Sequence, residues 1–340
     1  MAVEKISIEQ FLQMEEQVPV LDVRSPGEYD RGHIPGARPF PLFTDEERKI
    51  TGTAYKQVGR QEAIKIGLNY FGKKMASMVA TAETIAKDGT VIVHCWRGGM
   101  RSEGVGWLLD LYGLKVYTLS GGYKSFRRWC HQQFRKEVPF MLVGGYTGSG
   151  KTKVLAELKD KGHKIIDLEG LACHKGSVFG GFGQPAPPSQ EMFENKLALA
   201  LAASGTEDRL WVEDESRRIG SLHIPDPLYR RMRSAPVRWL EIPFEERLNN
   251  ILVEYGKFPK EDLAAAILLL RKRLGGLETR SALLFLEAGD LRNCFSILLK
   301  YYDKYYLKGY GPTGEKTQEI LKIPCTNTDP KANANALLYD

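Results

Sequence analysis

A short apolar run, Phe140-Met141-Leu142-Val143-Gly144, leads straight into Gly145-Tyr146-Thr147-Gly148-Ser149-Gly150-Lys151-Thr152. The octapeptide fits G-x-x-x-x-G-K-[ST], and the residues after it, Lys153 to Leu158, continue as a helix. A buried strand, a tight glycine turn and a helix in that order admit little besides an α/β unit built on a parallel sheet. In such a turn the glycines let backbone N–H groups close around a phosphate, with the helix dipole behind them. Gly145, Gly148, Ser149 and Gly150 are the candidate cradle, Lys151 the neutralising cation, and Thr152 the hydroxyl that can hold a magnesium ion. The motif leaves three uses open: hydrolysis of a nucleoside triphosphate, phosphoryl transfer, or retention of a diphosphate leaving group.

A second reactive turn lies about fifty residues upstream. The strand Thr90 to His94 ends at Cys95, and Trp96-Arg97-Gly98-Gly99-Met100-Arg101-Ser102 follows. A cysteine there sits among convergent N–H groups, and those donors favour an anion, the thiolate included. Arg97 and Arg101 add positive charge, so Cys95, Arg97 and Arg101 are the candidate catalytic set. Ser102 is placed to cap the helix running through Val105, Leu108 and Leu109.

Around these turns the chain of 340 residues reads as α/β throughout, with strands at Val18–Val23, Thr90–His94, Lys115–Leu119, Phe140–Gly144, Lys164–Asp167, Leu210–Glu215 and Arg238–Ile242. Residues 176–188 are rich in glycine and proline, which predicts a long functional loop. From Phe244 the pattern turns helical, for example over Leu263–Leu274 and Leu291–Tyr302. Three segments follow: 1–136 around the cysteine turn, 137–245 around the phosphate turn, and a helical extension 246–340 packed on the second.

Composition narrows the class. No apolar stretch approaches the roughly 20 residues of a membrane helix. The first residues show no secretory signal. Five scattered cysteines without a C-x-x-C pair fit reduced thiols in a cytoplasmic protein. His163, His174 and His223 are too dispersed for a metal site, and none is expected. Asp214, beside Glu213 and Glu215 at a strand end, is a candidate to meet magnesium through water; the alternative is pairing with Arg217 and Arg218. Between Ser216 and Trp239 six arginines face one acid, Asp226, with Tyr229 and Trp239 interleaved. That pattern suits phosphate contact and base stacking on RNA, and makes Arg217, Arg218, Arg230 and Arg231 candidate RNA contacts. The net charge of +6 is compatible with such a partner.

Three pieces of the first 130 residues resemble the rhodanese family: Leu21-Asp22-Val23-Arg24-Ser25-Pro26-Gly27-Glu28-Tyr29 with Gly32-His33-Ile34-Pro35-Gly36-Ala37, the Cys95 turn, and Leu119-Ser120-Gly121-Gly122 with Trp129. The resemblance implies that Cys95 handles a transferable chalcogen. The spacing of Cys95 to Arg101 is one residue longer than sulfurtransferases commonly use and also resembles cysteine-dependent phosphatases. Further segments extend the likeness: Gly52-Thr53-Ala54-Tyr55-Lys56-Gln57, Gly170 to Ser177, Phe193-Glu194-Asn195, and Val212 to Gly220. With the phosphate turn, the chain is similar to the tRNA 2-selenouridine synthase family; Cys173 stands where an asparagine is expected.

That resemblance implies a rhodanese-like domain joined to a P-loop domain. It implies a transferase acting on 2-thiouridine at the tRNA wobble position, with selenophosphate as selenium donor. It also implies an S-geranyl intermediate made from geranyl diphosphate, with magnesium as a candidate companion. Val178, Phe179, Phe182, Met192 and Phe193 would cover the geranyl tail. An enzyme producing selenophosphate is the implied supplier; no membrane and no protein partner are expected. The competing readings are a rhodanese-type sulfurtransferase or a cysteine phosphatase with an accessory nucleotide-binding domain, and a non-catalytic RNA-binding module.

Overall fold

The computed structural model describes residues 3–205, 209–308 and 319–339. They form two compact units, divided between Gln133 and Phe134.

The first unit runs β1 (Glu4–Ile6), α1 (Ile8–Met14), β2 (Val20–Asp22), α2 (Pro26–Arg31), β3 (Arg38–Pro39), then three consecutive helices, α3 (Asp45–Gln57), α4 (Arg60–Gly72) and α5 (Met75–Ile85). It closes with β4 (Thr90–His94), α6 (Met100–Tyr112), β5 (Lys115–Leu119) and α7 (Gly122–Gln133). Its sheet is fully parallel in the order β1-β5-β4-β2-β3. Val91, Ile92 and Val93 on β4 are buried without remainder, as expected of a central parallel strand covered on both faces. One face packs against Phe71, Met78, Val105 and Leu109 from the helices.

The second unit runs β6 (Phe140–Gly145), α8 (Lys151–Asp160), β7 (Lys164–Ile166), α9 (Leu168–Ala172), α10 (Gln190–Ser204), β8 (Leu210–Glu213), a small hairpin of β9 (Arg218–Ile219) and β10 (Leu222–His223), α11 (Asp226–Ser234) and β11 (Val237–Glu241). Four helices follow: α12 (Phe244–Tyr255), α13 (Lys260–Leu274), α14 (Gly276–Glu287) and α15 (Leu291–Lys308). The chain then returns to the sheet as β12 (Ile320–Pro324) and ends in α16 (Pro330–Leu338). The sheet order is β12-β11-β6-β8-β7, again parallel throughout. The return to β12 corrects the expectation that everything after 245 is helical. Its Ile320-Leu321-Lys322-Ile323-Pro324 is an edge strand with only Ile323 buried, which gives the sequence little apolar alternation to read.

Both central strands, β4 and β6, deliver a glycine-rich turn at their C-terminal ends, where open parallel sheets bind ligands.

Candidate functional site

In the first unit, the turn after β4 packs backbone to backbone against the turn before α7. Tyr123 and Lys124 donate their N–H groups to the carbonyls of Cys95 and Trp96, each at 2.9 Å. Gly122 permits this: its φ is +57°, and a Cβ there would lie 2.3 Å from the Cys95 carbonyl oxygen. Beneath the turn, the Arg24 guanidinium pairs with Asp22 (2.6 Å), reaches the Gly32 carbonyl (2.8 Å) and lies 3.9 Å from the centre of the Tyr123 ring. Arg24 and Asp22 are both buried. The Leu21-Asp22-Val23-Arg24 motif therefore braces the cysteine turn.

Cys95 is 4% exposed. Its Sγ lies 3.2 Å from Ser102 Oγ and 3.9 Å from the Gly99 carbonyl oxygen. Burial pushes the thiol up, but Ser102, the Arg101 charge and the backbone at Gly99 and Ser102 outweigh it and hold Cys95 below the ordinary thiol range. Arg101 grips Glu28 with both terminal nitrogens, at 2.7 and 3.3 Å. Arg97 is exposed on the turn. Ser102 was expected as a cap; the helix instead starts at Met100 with Gly99 as its N-cap. Ser102 Oγ, buried in the first turn, lies within hydrogen-bonding distance of Gly99 O (3.0 Å) and faces the sulfur, so its single proton can serve either.

In the second unit, Gly148 has φ +84°, and a Cβ there would lie 2.9 Å from the Arg247 carbonyl oxygen. Lys151 Nζ reaches back to the Gly145 carbonyl (3.2 Å), and Ser149 Oγ donates to Tyr146 O (2.7 Å). Thr152 Oγ1 donates to Glu169 Oε2 at 2.8 Å. Burial, then Glu215, push Glu169 up to about 7, against the opposing pull of Lys151 and Thr152. These groups line a cavity of about 540 Å³, together with Asn250, Tyr255, Tyr302 and Tyr305. Arg247 on α12 holds the turn from outside, donating to Thr147 O (3.1 Å) and pairing bidentately with Asp303 on α15 (2.8 Å twice).

The three acids at the end of β8 divide their roles. Glu213 is wholly buried and accepts from Leu168 N (3.0 Å), with burial holding it well above the carboxylate range. Asp214 pairs with Arg233 on α11 at 2.7 Å and accepts from Tyr306 at its backbone carbonyl (2.9 Å). Glu215 lines the cavity. The alternative partners, Arg217 and Arg218, are engaged elsewhere: Arg217 pairs with Asp226 (2.7 Å), and Arg218 donates to Gly220 O (2.8 Å).

Two models of known families match this chain: the tRNA 2-selenouridine synthase AAA domain over residues 138–320, and the rhodanese-like domain over residues 7–128. Curated proteins called tRNA 2-selenouridine synthase are similar to it. The one from Cupriavidus pinatubonensis is 40% identical over 247 residues, 70% of this chain and 66% of that protein. The one from Nitrosomonas europaea is 36% identical over 246 residues, 70% of this chain and 63% of that protein. The one from Pseudomonas fluorescens is 36% identical over 329 residues, 85% of this chain and 87% of its own length. The chain belongs to the tRNA 2-selenouridine synthase family. It spans slightly under two thirds of the first two relatives.

Within this family member, the structure brings Cys95 and Arg101 together, and gathers Gly148, Ser149, Gly150, Lys151 and Thr152 around one cavity that Asp214 also lines. Sequence reasoning missed Ser102, Glu28, Glu169 and Arg247. Their positions follow from tertiary pairing across 7, 73, 17 and 100 residues. Two expectations need correcting. Phe179 and Phe193 are core residues, 3% and 0% exposed, while Val178 and Phe182 pack on the helical cluster around Phe179, so this set does not form a tail-binding face. Tyr229 and Trp239 are buried at 9% and 5%, which removes them as stacking platforms. Arg217, Arg218 and Arg230 are exposed, whereas Arg231 is half-buried and donates to Phe134 O at 2.9 Å. His174 is wedged between Gly180 and Gly220, where an added Cβ would come within 2.8 and 2.7 Å of its ring. Among the described residues no cluster of three or more metal-ligating side chains occurs, and no helix is long and apolar enough to cross a membrane.

Proposed function

We propose that this chain converts 2-thiouridine at the wobble position of tRNA into 2-selenouridine in two steps. In the first, the C2 sulfur attacks C1 of geranyl diphosphate, the C–O bond breaks, and diphosphate leaves with the electron pair as the ring gives up its N3 proton. In the second, selenium from selenophosphate adds at C2 and geranyl thiolate leaves, taking a proton. Water then cleaves the Se–P bond to release phosphate. Alkylation makes the second step feasible, because an S-alkyl thioether leaves an electron-poor ring more readily than a thiocarbonyl sulfur does.

The observation that carries this reading is the pairing of chemistries in one chain: a thiol held below its ordinary range, and a lysine-bearing phosphate turn. Lys151 and the turn's N–H groups would neutralise the departing diphosphate. Tyr302 and Tyr305, which line the same cavity, would cover the tail during alkylation. A magnesium ion suits Thr152 and Glu169: burial first and Glu215 second disfavour the charged form of Glu169, and a cation there would offset both. When bound, magnesium would supply charge stabilisation to the diphosphate oxygens. Arg97 and Arg101 would orient the selenophosphate at Cys95, and exposed Arg217, Arg218 and Arg230 would meet RNA phosphates.

The test is the mass of the wobble nucleoside in cells lacking this protein. 2-Thiouridine in place of 2-selenouridine is expected, with selenium restored by the intact chain and not by Cys95→Ala. Unchanged selenouridine in the deletion strain would overturn the reading.

A further inference from the structure

The first unit contains a larger cavity, about 950 Å³, that the chemistry above does not use. It lies among α3, α4 and α6. Phe43 and Phe71 are buried in its lining, while Ile64, Leu68, Met100 and Trp107 stand 37%, 59%, 49% and 53% exposed around it. So many large apolar side chains left open around one hollow mark a ligand site more often than a stable free surface. The volume falls at the upper end of the range of small-molecule sites, roughly 300 to 1,000 Å³. Its edge carries the cations Arg48, Lys49 and Lys56. Arg48 contacts Glu28 at 3.1 Å, and the acid Glu103, also on the edge, pairs with Lys5 at 2.8 Å. The cavity adjoins the reactive turn: Met100 and Arg101, the first residues of α6, follow directly on that turn and line the cavity.

We propose that this cavity seats the geranyl group of the S-geranylated wobble nucleoside while the Cys95 turn works on its C2 atom. The assignment rests on the two-step reading. Three observations favour this occupant: an apolar lining suited to a branched hydrocarbon, a rim of cations suited to the RNA backbone that carries it, and a wall that follows directly on the thiol's own loop. It also supplies an apolar seat for the second step that the loop around Phe179 does not. The geranyl chain would dock beside the site where it must leave, and an unalkylated thiouridine would lack that anchor.

The experiment uses the full chain and an anticodon stem-loop whose wobble residue is 2-thiouridine, its S-methyl form or its S-geranyl form. Burial of a methylene contributes roughly fourfold in affinity, so the S-geranyl RNA is expected to bind at least about tenfold more tightly than the S-methyl RNA. Leu68→Glu is expected to erase that preference, and Leu68→Met to keep it. If Leu68→Glu melts early, the emission of Trp107 takes its place: wild type minus Trp107→Phe should shift with S-geranyl RNA and not with S-methyl RNA. Equal binding of the two RNAs by the wild type overturns the proposal. So does a Leu68→Glu chain that folds normally and keeps the preference. A parallel assay separates the two ideas. If wild type fails to make selenouridine from S-geranyl RNA and selenophosphate, the two-step reading falls; if it succeeds while the preference is absent, only the cavity assignment falls.

Discussion

At the scale of single residues, Cys95 depends on a balance. Burial opposes its ionisation, and the Ser102 hydroxyl at 3.2 Å is the nearest group working the other way. Ser102→Ala is expected to raise the pH midpoint of Cys95 alkylation, measured with a small reagent in an otherwise cysteine-free chain; an unmoved midpoint would exclude that role. Glu169 carries the opposite signature. Its folded value, about 7, exceeds that of an unfolded carboxyl, so the folded state holds the extra proton and stability falls as pH rises from about 4.5 to 7. Glu169→Gln should flatten that part of the melting-temperature profile, and added magnesium should flatten it in wild type. Cys173 has φ +51° at the end of α9, the one described non-glycine residue in left-handed conformation. Asparagine tolerates that geometry better, so Cys173→Asn should stabilise the chain by up to about 1 kcal/mol in denaturant melts. Cys95 and Lys151 were legible because local sequence determines a turn. Ser102 was misread as a cap, and Glu169 not read at all, because their partners are chosen by tertiary packing.

At the scale of elements, both turns are held from outside by another segment. Arg247 on α12, almost wholly buried, ties the phosphate turn to Asp303 on α15. Asp303→Ala leaves that guanidinium uncompensated and should cost about 3 kcal/mol in chemical denaturation, with loss of diphosphate binding. Gly122→Ala forces the α7 turn off the Cys95 carbonyl; a loss of about 2 kcal/mol and a collapse of selenation are expected together. The strands around these turns were readable to within a residue or two, since buried parallel strands are continuous apolar runs. β12 was not, because an exposed edge strand has no such run. The alternating arginines and aromatics of α11 and β11 suggested a stacking surface; Arg233, Tyr229 and Trp239 instead turn inward to complete a core.

At the scale of the whole molecule, two parallel sheets of five strands each present their reactive turn from the central strand. The α/β class and the order of the two units were legible from the two motifs. The large cavity of the first unit was not, since it depends on how three helices leave a hollow between them. The central claim is a division of labour, with alkylation assigned to the phosphate turn and selenation to the cysteine turn. The most direct test follows thiolated tRNA by nucleoside mass spectrometry, with geranyl diphosphate and selenophosphate both present. Cys95→Ala should accumulate S-geranyl-2-thiouridine, and Lys151→Ala should leave 2-thiouridine unaltered yet convert supplied S-geranyl RNA to selenouridine. Selenouridine made by Cys95→Ala, or geranylation undiminished in Lys151→Ala, would contradict the account.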